Sequence, residues 1–265
     1  MKRYFENLVL AVFAVIFIVS CYKIVTRMNE TNQSNDVVKS LEIIIEENKT
    51  SLISEPETDS SFLRNGSGQV ILDEERMIRL SSFSDFHSIN NDFIGWIQIP
   101  GTKVNYPVVQ NQDNPDNYIK KDFYGKRSSH GSIYAASQCD LSSSRNIVLF
   151  GHHMKDGTMF ASINKYQDMS YYKEHPIIYF DTVLGAHDYE IIGAFRFNAD
   201  ETERLEEMLS ADTKEKFNEF LSYIKEHSYY ETGITAEYGD MLLTLMTCEY
   251  TYDNGRFFVV AKRTN

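Results

Sequence analysis

The sequence predicts a mainly β protein, an antiparallel or mixed barrel of some eight strands with added helices. Eight short runs rich in β-branched and aromatic residues recur between residues 94 and 261. Few helical patterns separate them, so the strand–helix alternation of a doubly wound parallel sheet is missing. With 265 residues, 42% hydrophobic and 13% aromatic, the chain can bury one substantial core and still carry a stalk.

The first element is apolar. Leu8 to Tyr22 contains no charge, and Ile24 and Val25 extend it past Lys23, whose stem can snorkel. That length makes a membrane-spanning anchor plausible, read as 8–25 with 1–7 on the cytoplasmic side. Lys2 and Arg3 precede it and Lys23 and Arg27 follow, so basic residues do not fix its direction. No small-residue cleavage site follows, which favours an uncleaved anchor over a removed signal peptide. Ile18-Val19-Ser20-Cys21 also resembles a lipobox, with Cys21 as the lipidated residue. Both readings leave the rest of the chain outside the membrane. Residues 26–72 are acidic and then Ser-, Glu- and Gly-rich, and read as a flexible stalk with a short helix at 37–47.

The folded domain is expected over 73–265. Asp73 to Asn90 has helical spacing, with Met77, Leu80 and Phe83 on one face. Ile94–Ile99 and Val104–Val109 read as strands joined through Pro100-Gly101. Gly131–Ala135, Asn146–Phe150, Ile177–Phe180 and Tyr189–Phe197 follow as strands. Glu201 to Tyr230 reads as a long amphipathic helix or pair, its apolar face formed by Leu205, Met208, Leu209, Phe217, Phe220, Leu221 and Ile224. Met241–Thr247 and Arg256–Ala261 complete the strands, with Asp253-Asn254-Gly255 as the turn of a hairpin.

This hairpin holds the candidate chemistry. Paired strands lie about 5 Å apart, so Cys248 leaving one strand and Arg256 entering the next can share a site. A fixed cation favours thiolate, which activates a nucleophile. A lone Cys after an apolar strand is more often a small buried hydrophobe; a histidine elsewhere tips the balance. Strand Asn146–Phe150 runs into Gly151-His152-His153, and neighbouring residues face opposite ways, so one of the two histidines can meet the thiol. The other five, His87, His130, His175, His187 and His227, lie in polar or loop contexts and read as surface or capping residues. Three widely spaced cysteines form neither a disulfide framework nor a metal site. A net charge of −12 argues against nucleic acid.

Thr244-Leu245-Met246-Thr247-Cys248 resembles the T-L-x-T-C signature of sortases, with an Arg eight positions on and a Gly-His after a central strand. Gly151-His152-His153-Met154, Thr158-Met159-Phe160, Tyr106-Pro107-Val108-Val109-Gln110 and Lys121-Asp122-Phe123-Tyr124 resemble the class B subgroup. The resemblance covers roughly 85–263. It implies a sortase-type eight-stranded β-barrel with an N-terminal helix and a long helix before the last two strands. It also implies a membrane-anchored cysteine transpeptidase outside a Gram-positive cell. Cys248 then matches the nucleophile, His152 the family histidine and Arg256 the family arginine; Met246, Thr247, Glu249 and Tyr230 would contact substrate. The implied substrates are surface proteins with a C-terminal sorting signal of the N-P-x-T-x or L-P-x-T-G kind, cut after Thr through a thioester. The implied acceptor is an amine of a peptidoglycan precursor or a pilin Lys. No metal or organic cofactor is implied.

Two other classes fit part of this pattern. A cysteine peptidase would use the same Cys and His but transfer to water. A surface structural protein would carry its own sorting signal, whereas Lys262-Arg263-Thr264-Asn265 follows a strand directly.

Overall fold

The structure, a computed structural model, describes residues 2–54, 73–198, 209–249 and 255–264. All eight expected strands form: β1 (Phe93–Gln98), β2 (Asn105–Val109), β3 (Ile133–Ala135), β4 (Asn146–Phe150), β5 (Ile177–Thr182), β6 (Asp188–Asn198), β7 (Leu242–Glu249) and β8 (Gly255–Arg263). They close into a barrel in the order β1-β2-β3-β4-β7-β8-β6-β5, and β5 pairs back onto β1. The barrel is mixed, because β2–β3 and β4–β7 are parallel and the other pairs antiparallel. Closure removes the exposed strand edges that an open sheet must protect.

Burial explains the composition of the last strands. Leu242 to Leu245 and Phe257 to Ala261 are buried without interruption, because one face looks into the barrel and the other lies under helices. On the face under the helices, Phe195 stacks on Phe258 with ring centroids 5.2 Å apart, and meets Tyr223 at 5.4 Å. Outside lie a 3-10 helix (Ala161–Gln167), the short helix α4 (Met169–Glu174) and α5 (Lys214–His227). Thr213 caps α5 by accepting from the Lys216 N–H at 3.3 Å, and Phe217, Phe220 and Ile224 bury one stripe of it. A side chain at Gly193 in β6 would meet Ser228 Oγ at 2.3 Å and Ile224 Cγ2 at 2.6 Å, so only glycine lets α5 approach so closely. The helix expected at 201–230 is thus shorter at its C-terminal end; its beginning, with Leu205 and Met208, lies outside the described residues, as does the 253–254 part of the hairpin turn.

Two expectations are corrected. The helical stretch after Asp73 is two helices, α2 (Glu74–Ser81) and α3 (Phe83–Ile89); of the expected face Leu80 and Phe83 pack inward, and Met77 does not. Met77 is 40% exposed, whereas Arg76, Ile78 and Arg79 are buried. The reason is Asp181 of β5, fully buried, whose carboxylate accepts from Arg76 Nε at 2.8 Å and from Arg79 Nη2 at 3.4 Å. Ion pairing adds Arg76 and Arg79 to the inward face and leaves Met77 outside.

The acidic stretch read as a flexible stalk is helical up to Ser54, within one helix, α1 (Lys2–Ser54). Leu41 is fully buried, with Val37, Ile44 and Ile45 packed around the same cluster, which also holds Phe83, Phe86, Phe93 and Trp96. These positions recur at i, i+4 and i+7, so an apolar stripe runs along an otherwise acidic helix. Polar contacts fasten it along its length: Thr31 to Asp156 at 2.8 Å, Gln33 to the Arg127 carbonyl at 3.1 Å, and Asn48 to Asp85 at 2.8 Å.

Candidate active site

The site forms where β4 and β7 run side by side to the same end of the barrel. Their last paired residues are Phe150 and Met246, and the Gly151 N–H continues the pairing to the Met246 carbonyl at 3.1 Å. Gly151 cannot carry a side chain, because a Cβ would come within 2.5 Å of Ile133 and 2.6 Å of Phe160. That close passage turns the chain out of the barrel and delivers His152 to its rim. On the other side of β7, Cys248 pairs directly with Arg256 of β8. Cross-strand partners point to the same face with Cβ atoms about 5 Å apart.

His152, Cys248 and Arg256 line one cavity of about 550 Å³. Met246, Thr247, Tyr134, Phe150, Ile119 and Asp116 also line it. The His152 ring is held by a hydrogen bond of 2.7 Å between Nε2 and the Ile119 carbonyl. A carbonyl only accepts, so Nε2 carries a proton and Nδ1 is the basic nitrogen of the neutral ring. His153 turns the other way, toward the β7 backbone, with Nδ1 3.2 Å from the Cys248 carbonyl. Alternation along the chain thus separates the two histidines as the sequence requires. Arg256 Nη1 donates to the Gly255 carbonyl at 3.1 Å. Tyr134 and Phe150 form an aromatic wall with centroids 5.2 Å apart. Burial pushes the Tyr134 hydroxyl up to about 12; the charges of Asp116 and Cys248 add to this and Arg256 opposes it.

The three cysteines are distinct. Cys21 is exposed on α1, Cys139 is buried, and Cys248 is half-buried in the cavity. Burial pushes the Cys139 thiol up, and its Sγ rests 3.6 Å from the Asn146 carbonyl. A thiol so enclosed is protonated and unreactive.

The sortase-domain family model matches residues 97–264. The chain belongs to the sortase family. It is 32% identical to sortase B of Staphylococcus aureus over 185 residues, which cover 68% of this chain and 73% of that protein. Among solved structures it is similar to a Staphylococcus aureus sortase B–substrate complex, with a TM-score of 0.63 and 30% identity over 69% of this chain and 84% of the other. It is also similar to Clostridium perfringens sortase B, with a TM-score of 0.63 and 32% identity over 68% of this chain and 98% of the other. The eight-stranded barrel is the sortase fold, and membership makes the chain a sortase-type cysteine transpeptidase.

Of the substrate contacts expected from the sortase resemblance, Met246 and Thr247 line the cavity. The Thr247 hydroxyl is already committed, donating to the Gly151 carbonyl at 2.7 Å. Tyr230 lies elsewhere, stacked on Tyr172 at 5.2 Å and packed against the core. The Glu249 backbone pairs with Gly255, and its side chain lies outside what is described. Sequence reasoning missed Asp116, Ile119 and Tyr134. Tyr134 stands in the strand expected at 131–135, and strand alternation could have pointed it at the rim. Asp116 and Ile119 lie in a loop with no periodic signal. His130 is a second correction: read as surface, it is buried, with Nε2 2.9 Å from Asp156.

Proposed function

We propose that this sortase cleaves a C-terminal sorting signal of the N-P-x-T-x or L-P-x-T-G kind and transfers the cut protein to an amine. The observation that carries the reading is the cavity shared by Cys248, His152 and Arg256, with the thiol and the guanidinium paired across one hairpin. The Cys248 thiol passes its proton to the basic Nδ1 of His152, and the resulting thiolate attacks the carbonyl carbon of the signal's Thr. The carbonyl oxygen becomes an oxyanion, held by Arg256 together with backbone N–H groups. Collapse breaks the C–N bond, His152 delivers a proton to the departing amine, and a thioester remains on Cys248. An incoming amine loses its proton to His152 and displaces the Cys248 sulfur, so a new amide replaces the old one. Peptidoglycan-precursor amines and a pilin Lys are the proposed acceptors. Cover over the thioester favours the amine over water. That cover is what separates this reading from a cysteine peptidase.

By length and composition α1 is long and apolar enough to cross a membrane. With the family's habit this supports residues 8–25 as an anchor, 1–7 as cytoplasmic and 73–265 as the extracellular catalytic part. Residues Leu10 to Val25 of α1 that are described expose their side chains all round, as an anchor surrounded by lipid would.

The test is mass spectrometry of a panel of N-P-x-T-x and L-P-x-T-G peptides incubated with the protein, with and without triglycine or a Lys peptide as acceptor. An amide-ligated product, and a thioester trapped on Cys248, are expected. Hydrolysis alone at saturating amine would favour the peptidase reading.

A further inference from the structure

β4 stops at Phe150, whereas β7 continues to Glu249. Beyond Met246, the edge of β7 that faced β4 has no strand partner among the described residues, although its other edge stays paired with β8 through Cys248 and Arg256. Side chains take over that edge. Thr247 donates to the Gly151 carbonyl, and His153 Nδ1 approaches the Cys248 carbonyl. The peptide group of the thiol-bearing residue is therefore held by a histidine.

The same Nδ1 lies 3.0 Å from Asn164 Nδ2, on the 3-10 helix. One ring nitrogen cannot accept from an amide and donate to a carbonyl at once. In that orientation of the amide, Asn164 Oδ1 is also buried without a partner. Exchanging the N and O ends of the amide removes the clash of roles at Nδ1 and gives Oδ1 a donor, while Nδ2 moves to the buried position that Oδ1 held. Nδ1–H then meets two acceptors, the Cys248 carbonyl and Asn164 Oδ1. The His153 backbone is itself fixed, bridged to Met159 across a tight loop in which Met159 takes a φ of 54°.

We propose that His153, held as its Nδ1–H tautomer by Asn164, is a positioning residue for the nucleophile. It does not touch the reacting atoms. It anchors the Cys248 carbonyl where strand pairing has run out on one side, and so fixes the direction in which the thiol enters the cavity. The proposal rests on Cys248 being the nucleophile.

The experiment measures kcat, KM and melting temperature for His153→Ala, His153→Asn, Asn164→Ala and the double Ala variant. The substrate is the most rapidly cleaved peptide of the panel above. His153→Ala should lower kcat about tenfold, the scale of one net hydrogen bond, with KM nearly unchanged. His153→Asn places an amide N–H where Nδ1–H stood and should restore most of kcat. Asn164→Ala should lose less, and the double variant no more than His153→Ala alone, because the two act as one unit. Unchanged kcat in His153→Ala overturns the proposal. So does a loss that only follows the folded fraction, and so does failure of Asn to rescue, which would mean the ring works by exchanging protons. Turnover surviving in Cys248→Ala would instead overturn the reading of the nucleophile, a different result in a different protein.

Discussion

Two clusters in this molecule are built from the same kinds of side chain and do opposite things. Around Asp181, two guanidiniums converge on one carboxylate in complete burial. Arg76 also reaches Asp188 and the His187 carbonyl, and lies over the Tyr179 ring at 4.2 Å. At the barrel's rim, Arg256 sits across the hairpin from a thiol, and both line one cavity. The first cluster closes its charge on itself and ties α2 to β5. The second sets a cation on the lining of a cavity. Arg and acid in a sequence therefore say little; enclosure decides whether they close on each other in the core or line a cavity.

The sharpest division between the clusters comes from the cysteines. Cys248→Ala should abolish turnover with an unchanged melting temperature, while Cys139→Ala keeps turnover and lowers stability. Inactivation by Cys139→Ala, with turnover intact in Cys248→Ala, would move the chemistry away from the rim.

Arg256→Lys is next. An ammonium keeps the charge but loses the planar fork of donors. Loss of one oxyanion donor costs about 10²–10³ in rate, so turnover should fall by that order while the melting curve stays put. Near-normal turnover in the Lys variant would make Arg256 a strand residue with a surface role.

The buried cluster should show the reverse pattern. Asp181→Ala leaves two buried guanidiniums without their shared anion, and breaking such a pair costs about 3–5 kcal/mol. Calorimetry should find a melting point lower by roughly 10 °C for a domain of this size. Turnover per folded molecule should not change. A lost turnover at full stability would join the two clusters functionally.

The smallest effect is a pH dependence. Burial holds His187 below its ordinary value of 6.5; Arg263 and Arg76 add to this, and Asp181 and Asp188 oppose it. The folded protein thus prefers the neutral ring, and the unfolded chain takes up the proton first. Stability from this group is complete above about pH 6.5 and declines as pH falls below it. His187→Asn should flatten that part of the melting-temperature profile. Asp156 acts in a separate window. Burial opposes it, but hydrogen bonds from Thr158, His130 and Thr31 hold its carboxyl far below the usual range. Its contribution is lost only as pH falls below about 4, the ordinary carboxylate value.

The strands were legible because their signal is local. β7 and β8 are continuous apolar runs, and the hairpin spacing alone set Cys248 against Arg256. The two histidines were separated by alternation, which needs no tertiary knowledge. What stayed hidden depends on partners far along the chain. Arg76 and Arg79 turn inward only because Asp181 waits more than 100 positions later. The helical stalk hides its stripe of Val37, Leu41 and Ile44 among acids, and its composition outweighed its period. His130 looked like a surface residue until Asp156 was beside it. The Asp116–Ile119 wall has no pattern at all, since loops are placed by what they pack against.

The parallel pairing of β4 with β7 has a consequence for how the enzyme comes into being. Residues 146–150 meet residues 242–246, so nearly a hundred positions must be looped out before that contact forms. Closing long loops is slow, and non-local pairings are made late in folding. The hairpin can bring Arg256 to Cys248 early, as neighbours in sequence. His152 arrives only with β4, and the enclosing wall only as the barrel closes. A half-folded chain therefore carries Cys248 without His152 beside it and without the cavity that both line, so the site exists only when folding is complete.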